Sequence, residues 1–263
     1  MPIKFYIIAI LLPFCFVTCH QKKETEIKNL HQEKQLIKPS SAKLKKASSD
    51  KIVPLTNDNL ISILSDYGKN NPETIVLMKT PKGNMKIKLY ENTPMHRANF
   101  IRLIKNNFYK GTQFYRVINN FMIQGGDSDD WERQSLKQKM GSYTLPAEFH
   151  KENIHQKGAL SMAREYENNP EKRSVPFEFF IIQGYSYTTG ELLGAEKHYG
   201  LNIIPEHKNI YSSQGGCPHL DGQHTVFGQV IEGLNIIDSI AAVKVDAGDW
   251  PIEDITIEFQ ILK

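Results

Sequence analysis

Arg116, Phe121, Met122 and Gln124 lie close together in the stretch "FYRVINNFMIQGGD", Phe114 to Asp127. One guanidinium and one amide over two large apolar side chains can form a binding pocket, because they set N–H donors over an apolar floor. The stretch reads as two short strands about a turn at Asn119-Asn120. Strand alternation directs Met122 and Gln124 to one face and Phe121 and Ile123 to the other, with Arg116 across the turn. This set makes a poor core and a reasonable pocket. A surface arginine lying along exposed apolar side chains fits the same residues.

Little else in the chain carries reactive chemistry. His219 and His224 are five apart, as are His150 and His155, but neither pair has a third ligand nearby, so no metal is expected. "DSDDWE" at 127–132 lacks the glycine and the later glutamate of a calcium loop and reads as a solvated loop. No glycine-rich phosphate loop and no G-x-S-x-G elbow occur. Cys217, in "GGCPH", reads as a bystander rather than a nucleophile. No cofactor is expected.

The 263 residues, 40% of them hydrophobic, suffice for one substantial core. The net charge of +3 is unevenly spread. Residues 20–51 carry nine lysines against four acids, so the chain beyond them is mildly acidic, which argues against nucleic acid as a partner. At the start, Lys4 precedes an apolar run from Phe5 to Val17, too short to span a bilayer as a mature helix. The run ends in "FVTC", which resembles the lipobox of bacterial lipoproteins. That resemblance implies lipidation at Cys19 after removal of residues 1–18, a membrane anchor, and a place in the cell envelope. An ordinary secretory signal with a nearby cysteine is the other reading. With Cys15 removed and Cys19 acylated, only Cys217 remains, so no intramolecular disulfide is expected.

Residues 19–51, rich in Lys, Gln, Glu and Ser, read as a flexible tether. Residues 52–72 read as an appendage with one short helix. Leu60, Leu64 and Tyr67 give its apolar face, Thr56 or Asn57 its cap and Gly68 its end. From Glu73 the period changes to two. Strands are expected in "TIVLMKT" and "GNMKIKLY", then at 113–118, 121–125, 158–163, 177–182, 225–231 and 253–262. "TPMHRANFIRLIKNNFY" reads as a helix with Thr93 as cap and Pro94 at its first position, and "EGLNIIDSIAAV" as a second. Eight antiparallel strands closing into a barrel capped by two helices is a natural solution, so the chain is expected to be mainly β. Tyr185 to Gly222 has weak periodicity and reads as a long functional loop or insertion.

The opening stretch closely resembles the signature of cyclophilin-type peptidyl-prolyl isomerases. Supporting stretches follow in order over roughly 73–262: "GALSMAR" at 158–164, "FFII" at 179–182 and "LDGQHTVFGQV" at 220–230. The resemblance implies the closed eight-stranded barrel and cis/trans rotation about the bond preceding proline, in proline-containing polypeptide clients. It implies that Arg116 is the catalytic arginine and that Phe121, Met122, Phe180 and Leu220 wall the proline pocket. Gln124 and the backbone around Ala163 and Arg164 would hold the substrate backbone, with His224 at the pocket edge. His219 stands where many members have Trp, Arg164 where many have Asn, and Glu178 where the usual "SQFF" has Gln. A pair between Glu178 and Arg164 would compensate two of these changes. A monomeric, envelope-anchored isomerase assisting the folding of exported proteins is therefore expected. A binding module that holds proline segments with little turnover is the alternative.

Overall fold

The computed structural model describes residues 52–127 and 130–262. The expected signal segment, Cys19 and the tether lie outside the described residues. In chain order the elements are β1 (Leu55–Thr56), α1 (Leu60–Asn70), β2 (Ile75–Thr80), β3 (Gly83–Leu89), α2 (Pro94–Lys105), β4 (Thr112–Ile118) and β5 (Met122–Gly125). Then come α3 (Trp131–Met140), β6 (Gly141–Ser142), β7 (Ala159–Met162), β8 (Phe179–Ile182), α4 (Thr189–Tyr199) and α5 (Pro205–Ser213). A 3-10 turn at Pro218–Leu220 precedes β9 (Val226–Glu232), α6 (Leu234–Ala241) and β10 (Thr256–Leu262).

Eight of the strands form a closed barrel in the order β10-β2-β3-β9-β7-β8-β5-β4, every pairing antiparallel, with β4 returning to β10 through Gln113 opposite Thr256. All eight fall in the segments expected to be strands. Along β10, Ile257 is buried while Thr256 and Glu258 are exposed. Strands β7 and β8 are buried at every position, because one side faces the barrel core and the other a second cluster beneath the pocket. Phe100, Tyr109, Phe179 and Phe259 pack as tilted and edge-on ring pairs 5.1–5.8 Å apart within the core. Helices α2 and α6 add Ile101, Leu103, Ile237 and Ile240 to that core.

Several local expectations fail for identifiable reasons. Thr93 holds the cap position of α2 but donates its hydroxyl to Tyr90 O, 3.3 Å away. The free N–H groups of that helix end are taken instead by a carboxylate distant in sequence. Glu148 accepts from the Met95 and His96 amides, at 3.0 Å each, and from His96 Nδ1 at 2.7 Å. Helix α1 is preceded by Asn59, not capped by Thr56 or Asn57, and runs through Gly68 to Asn70. Gly68 is buried because α1 packs closely on α2: a Cβ there would sit 3.2 Å from that of Ala98. "DSDDWE" is not simply a loop, because Asp130 caps α3 through the Glu132 amide.

The stretch from Tyr185 to Gly222 is likewise not an open loop, since it contains α4 and α5. The signals were present as caps rather than as hydrophobic period. Thr188 and Glu191 form a reciprocal capping box and Pro205 opens α5. Tyr187, Leu192, Ile203 and Tyr211 of this insertion form a small core together with Ile154. Its two ends meet where Tyr185 pairs with Gly216, and a Cβ on Gly184 would lie 2.5 Å from the Gly216 backbone. Only glycine permits that approach.

Candidate active site

Strands β4, β5 and β8, the segment after β7, and the 3-10 turn together build one cavity of about 180 Å³. It is lined by Arg116, Phe121, Met122, Gln124, Ala163, Arg164, Phe180, Leu220 and His224, all expected from the sequence, and by Tyr166, which was not. His219 is the exception. It lies behind the Phe121 wall, its ring stacked on that of Phe121 at 5.8 Å, and does not line this cavity.

The floor is apolar. Met122, Ala163, Phe180 and Leu220 belong to one buried cluster with Ile182 and Val226, and Phe121 packs against it. Phe121 does not follow the alternation expected of it. It sits in the turn before β5, after Asn120 at φ +61°, so its ring joins Met122 while Ile123 enters the barrel core. Gly126, at φ +111°, ends the strand where a Cβ would lie 2.5 Å from Phe177 O.

The polar side of the cavity depends on an irregularity in β4. Phe114 pairs with Gly125 and Arg116 with Gln124, so Tyr115 is an extra residue in the ladder. This bulge breaks strict alternation and brings two successive side chains toward Gln124. Tyr115 donates its hydroxyl to Glu178 Oε2 at 2.6 Å and accepts from Gln124 Nε2 at 2.7 Å. The Tyr115–Gln124 contact leaves Gln124 Oε1 with no acceptor role inside the chain among the described residues. Burial, with Glu178 beside it, pushes the Tyr115 phenol well above its ordinary range.

Glu178 therefore belongs to the Tyr115–Gln124 pair, and the expected ion pair with Arg164 does not form. Arg164 turns the other way. Its Nε donates to Gln223 O at 2.7 Å, and its guanidinium lies 4.0 Å over the Tyr166 ring. The Ala163 backbone is fully occupied, its N–H by Glu178 O and its carbonyl by Val175 N. The Arg164 N–H and carbonyl have no hydrogen bond within the described residues and are the groups available to a ligand.

Arg116 stands at the mouth of the cavity, 44% exposed, with its Nε 3.7 Å from Asp249 Oδ2. Asp249 is held by a turn that sequence reading passed over. It adopts φ +64°, its carbonyl accepts from Val117 N at 2.8 Å, and Asp246 Oδ1 accepts from the Gly248 and Trp250 amides. The contact engages Nε, and Arg116 lines the cavity.

His224 is fixed as a neutral ring. Its Nδ1–H donates to Met162 O at 3.1 Å, and its Nε2 accepts from the Tyr166 hydroxyl at 2.7 Å. Burial, with His155, Arg164 and His219 nearby, depresses its pKa to about 4 despite the Met162 carbonyl. Behind the floor, His155 stacks on Phe180 at 6.2 Å and is held by Asp221, which also accepts from Tyr211 of α5. Cys217 is buried, its thiol pushed up to about 12 by burial and by Asp221, so it holds no ready thiolate. Among the described residues no cluster of three metal-ligating side chains occurs.

The fold is thus a closed antiparallel barrel with a small, apolar-floored cavity and the Arg116 guanidinium at its mouth. Residues 75–260 match the family described as "Cyclophilin type peptidyl-prolyl cis-trans isomerase/CLD", and the chain belongs to that family. It is 37% identical over 196 residues to the "Putative peptidyl-prolyl cis-trans isomerase" of Staphylococcus saprophyticus, covering 72% of this chain and 91% of that protein. It is 38% identical over 190 residues to the protein of the same name in Staphylococcus epidermidis, covering 71% and 90%. A cyclophilin type isomerase of Cryptosporidium parvum shares the fold at 23% identity. Its TM-score is 0.52, over 73% of this chain and 98% of that one. The same protein has been solved in the presence of the dipeptide Ala-Pro, at TM-score 0.51.

Proposed function

We propose that the peptidyl-prolyl isomerase reaction of this chain takes place in the cavity beneath Arg116. The observation that carries this is a guanidinium held by Asp249 at the mouth of a cavity floored by Phe121, Met122, Phe180 and Leu220. The X–Pro bond resists rotation because nitrogen donates its lone pair into the carbonyl, with a barrier of about 18–20 kcal/mol. Twisting the bond returns that pair to nitrogen, which then accepts a hydrogen bond it refuses in the planar amide. An N–H of Arg116 directed at the prolyl nitrogen stabilises the twisted state more than the planar one, and such differential binding is catalysis. The apolar floor grips the pyrrolidine ring and keeps water from it. Gln124 Oε1 and the Arg164 N–H and carbonyl hold the flanking substrate amides. No proton is transferred and no bond breaks, so the neutral His224 serves as a wall of the site.

Arg116→Ala should lower kcat/KM for a proline tetrapeptide roughly 10²–10³-fold, the usual effect of removing one preorganised donor to a transition state. Arg116→Lys should not restore it, since an ammonium lacks the planar fork. The wild-type rate should be nearly flat from about pH 6 to 9, because a guanidinium does not titrate there. A folded Arg116→Ala protein with full activity, or a steep bell-shaped profile, would overturn the assignment.

The cellular setting is part of the same reading. Lys4, the apolar run and Cys19 support a lipid-anchored enzyme of the cell envelope acting on exported polypeptides. Two or more acyl chains on Cys19 would hold it firmly, whereas one would bind only marginally.

A further inference from the structure

The Phe121 ring has a second side. Beyond it lies another cavity, of about 460 Å³, between the proline site and the insertion. Phe121 lines both, so one ring forms a wall shared by the two spaces. One wall of the second is a row of rings: His219 stacks on Phe121 at 5.8 Å, and Tyr199 lies 5.5 Å from His219. Tyr185 closes the end, stacked at 4.3 Å on Tyr187. Helix α4 also lines this cavity with Glu191, Gly194, Ala195 and His198, and at Gly194 and Ala195 it leaves room. A Cβ built on Gly194 meets nothing within 4 Å. Tyr185 and Tyr199 are exposed, although both face this slot.

We infer that this slot is a specificity subsite that takes an aromatic side chain of the client polypeptide, two or three residues from the proline. The lining carries the inference: a cavity walled by rings, with open space beside Gly194, accepts another ring. Ring pairs favour centroid separations of about 4.5–7 Å, the spacing already present along the row. Extended chain covers about 3.3–3.6 Å per residue, so a substrate seated on Phe121 reaches the slot within roughly three residues. The carboxylate of Glu191 at the rim disfavours an acidic side chain there. The insertion thus acts as a selector: α4 supplies the wall that the barrel alone lacks. This inference rests on the proline cavity being the catalytic one.

The test compares three proline hexapeptides by NMR exchange spectroscopy, which needs no coupling protease. One is all alanine around the proline, one carries Phe two residues after it, and one carries Phe two residues before it. One Phe peptide should exceed the alanine peptide about tenfold in kcat/KM, expressed in KM, on the scale of one added ring contact. Gly194→Leu, which fills the slot without removing any ring, should abolish that preference and leave the alanine peptide within about twofold of wild type. Tyr199→Ala should reduce it in the same direction. Equal rates for all three peptides in wild type, or a preference untouched by Gly194→Leu, would overturn the subsite. If Arg116→Ala also leaves the alanine peptide at full rate, the catalytic assignment fails. If Arg116→Ala abolishes turnover while the preference ignores Gly194→Leu, only the subsite fails.

Discussion

Tyr115→Phe removes a single oxygen atom, yet the geometry makes it a test of how the site is held. That oxygen donates to Glu178 at 2.6 Å and accepts from Gln124 at 2.7 Å. Without it, Glu178 keeps from this pair only the Gln124 amide at 3.5 Å, at the limit of a hydrogen bond. A hydrogen bond to a charged group contributes about 1.5–3 kcal/mol. Tyr115, Gln124 and Glu178 are partly exposed, so water replaces some of the loss and the lower end, about 1.5 kcal/mol, applies. For a domain of this size that is a fall in Tm of roughly 3–6 °C. The ring itself stays, packed near Trp250, so no cavity opens. Gln124 is then free to rotate, and kcat/KM should drop about tenfold, the equivalent of one hydrogen bond to substrate. Glu178→Gln keeps an acceptor for Tyr115 and should cost less on both measures. A double-mutant cycle of Tyr115→Phe with Gln124→Ala, read by thermal unfolding and by isomerisation rate, should give a coupling near 1 kcal/mol. Additive losses, or a Tyr115→Phe enzyme unchanged in both stability and rate, would refute the proposal that the bulge positions Gln124 through Tyr115.

The remaining predictions concern pH and the anchor. His224 has a folded pKa of about 4, below the ordinary value of 6.5, so the unfolded chain takes up its proton first as pH falls. Its contribution is complete above pH 6.5 and is lost between 6.5 and 4, on the order of 3 kcal/mol. Denaturant titrations across that window should show a shallower slope in His224→Gln, and an unchanged slope would refute this. Replacing Cys19 by Ser should move the protein from the membrane fraction to the soluble fraction and leave its isomerase rate intact. A wild-type protein already soluble, or a mature chain beginning elsewhere than residue 19, would remove the anchor from the proposal.

The barrel was legible because its signal is local. Each of the eight strands shows the two-residue period or the apolar run that a half- or fully buried strand requires, and the signature around Arg116 assembled most of the cavity lining in advance. What stayed hidden was set by partners far apart in the chain. Alternation mis-assigned Phe121, because the turn at Asn120 rotates it onto the Met122 side. The bulge at Tyr115 arises from the register against β5, which no single strand encodes. Glu178 chose Tyr115 over Arg164 and Glu148 displaced Thr93 as a helix cap, since side chains pair with the nearest donor in space. Composition could identify the Tyr185–Gly222 segment as an insertion, and its capping residues mark helices. Only the tertiary structure folds α4 back so that Tyr199 meets His219, because that approach depends on the glycine contact at Gly184 and Gly216, where two distant backbones touch.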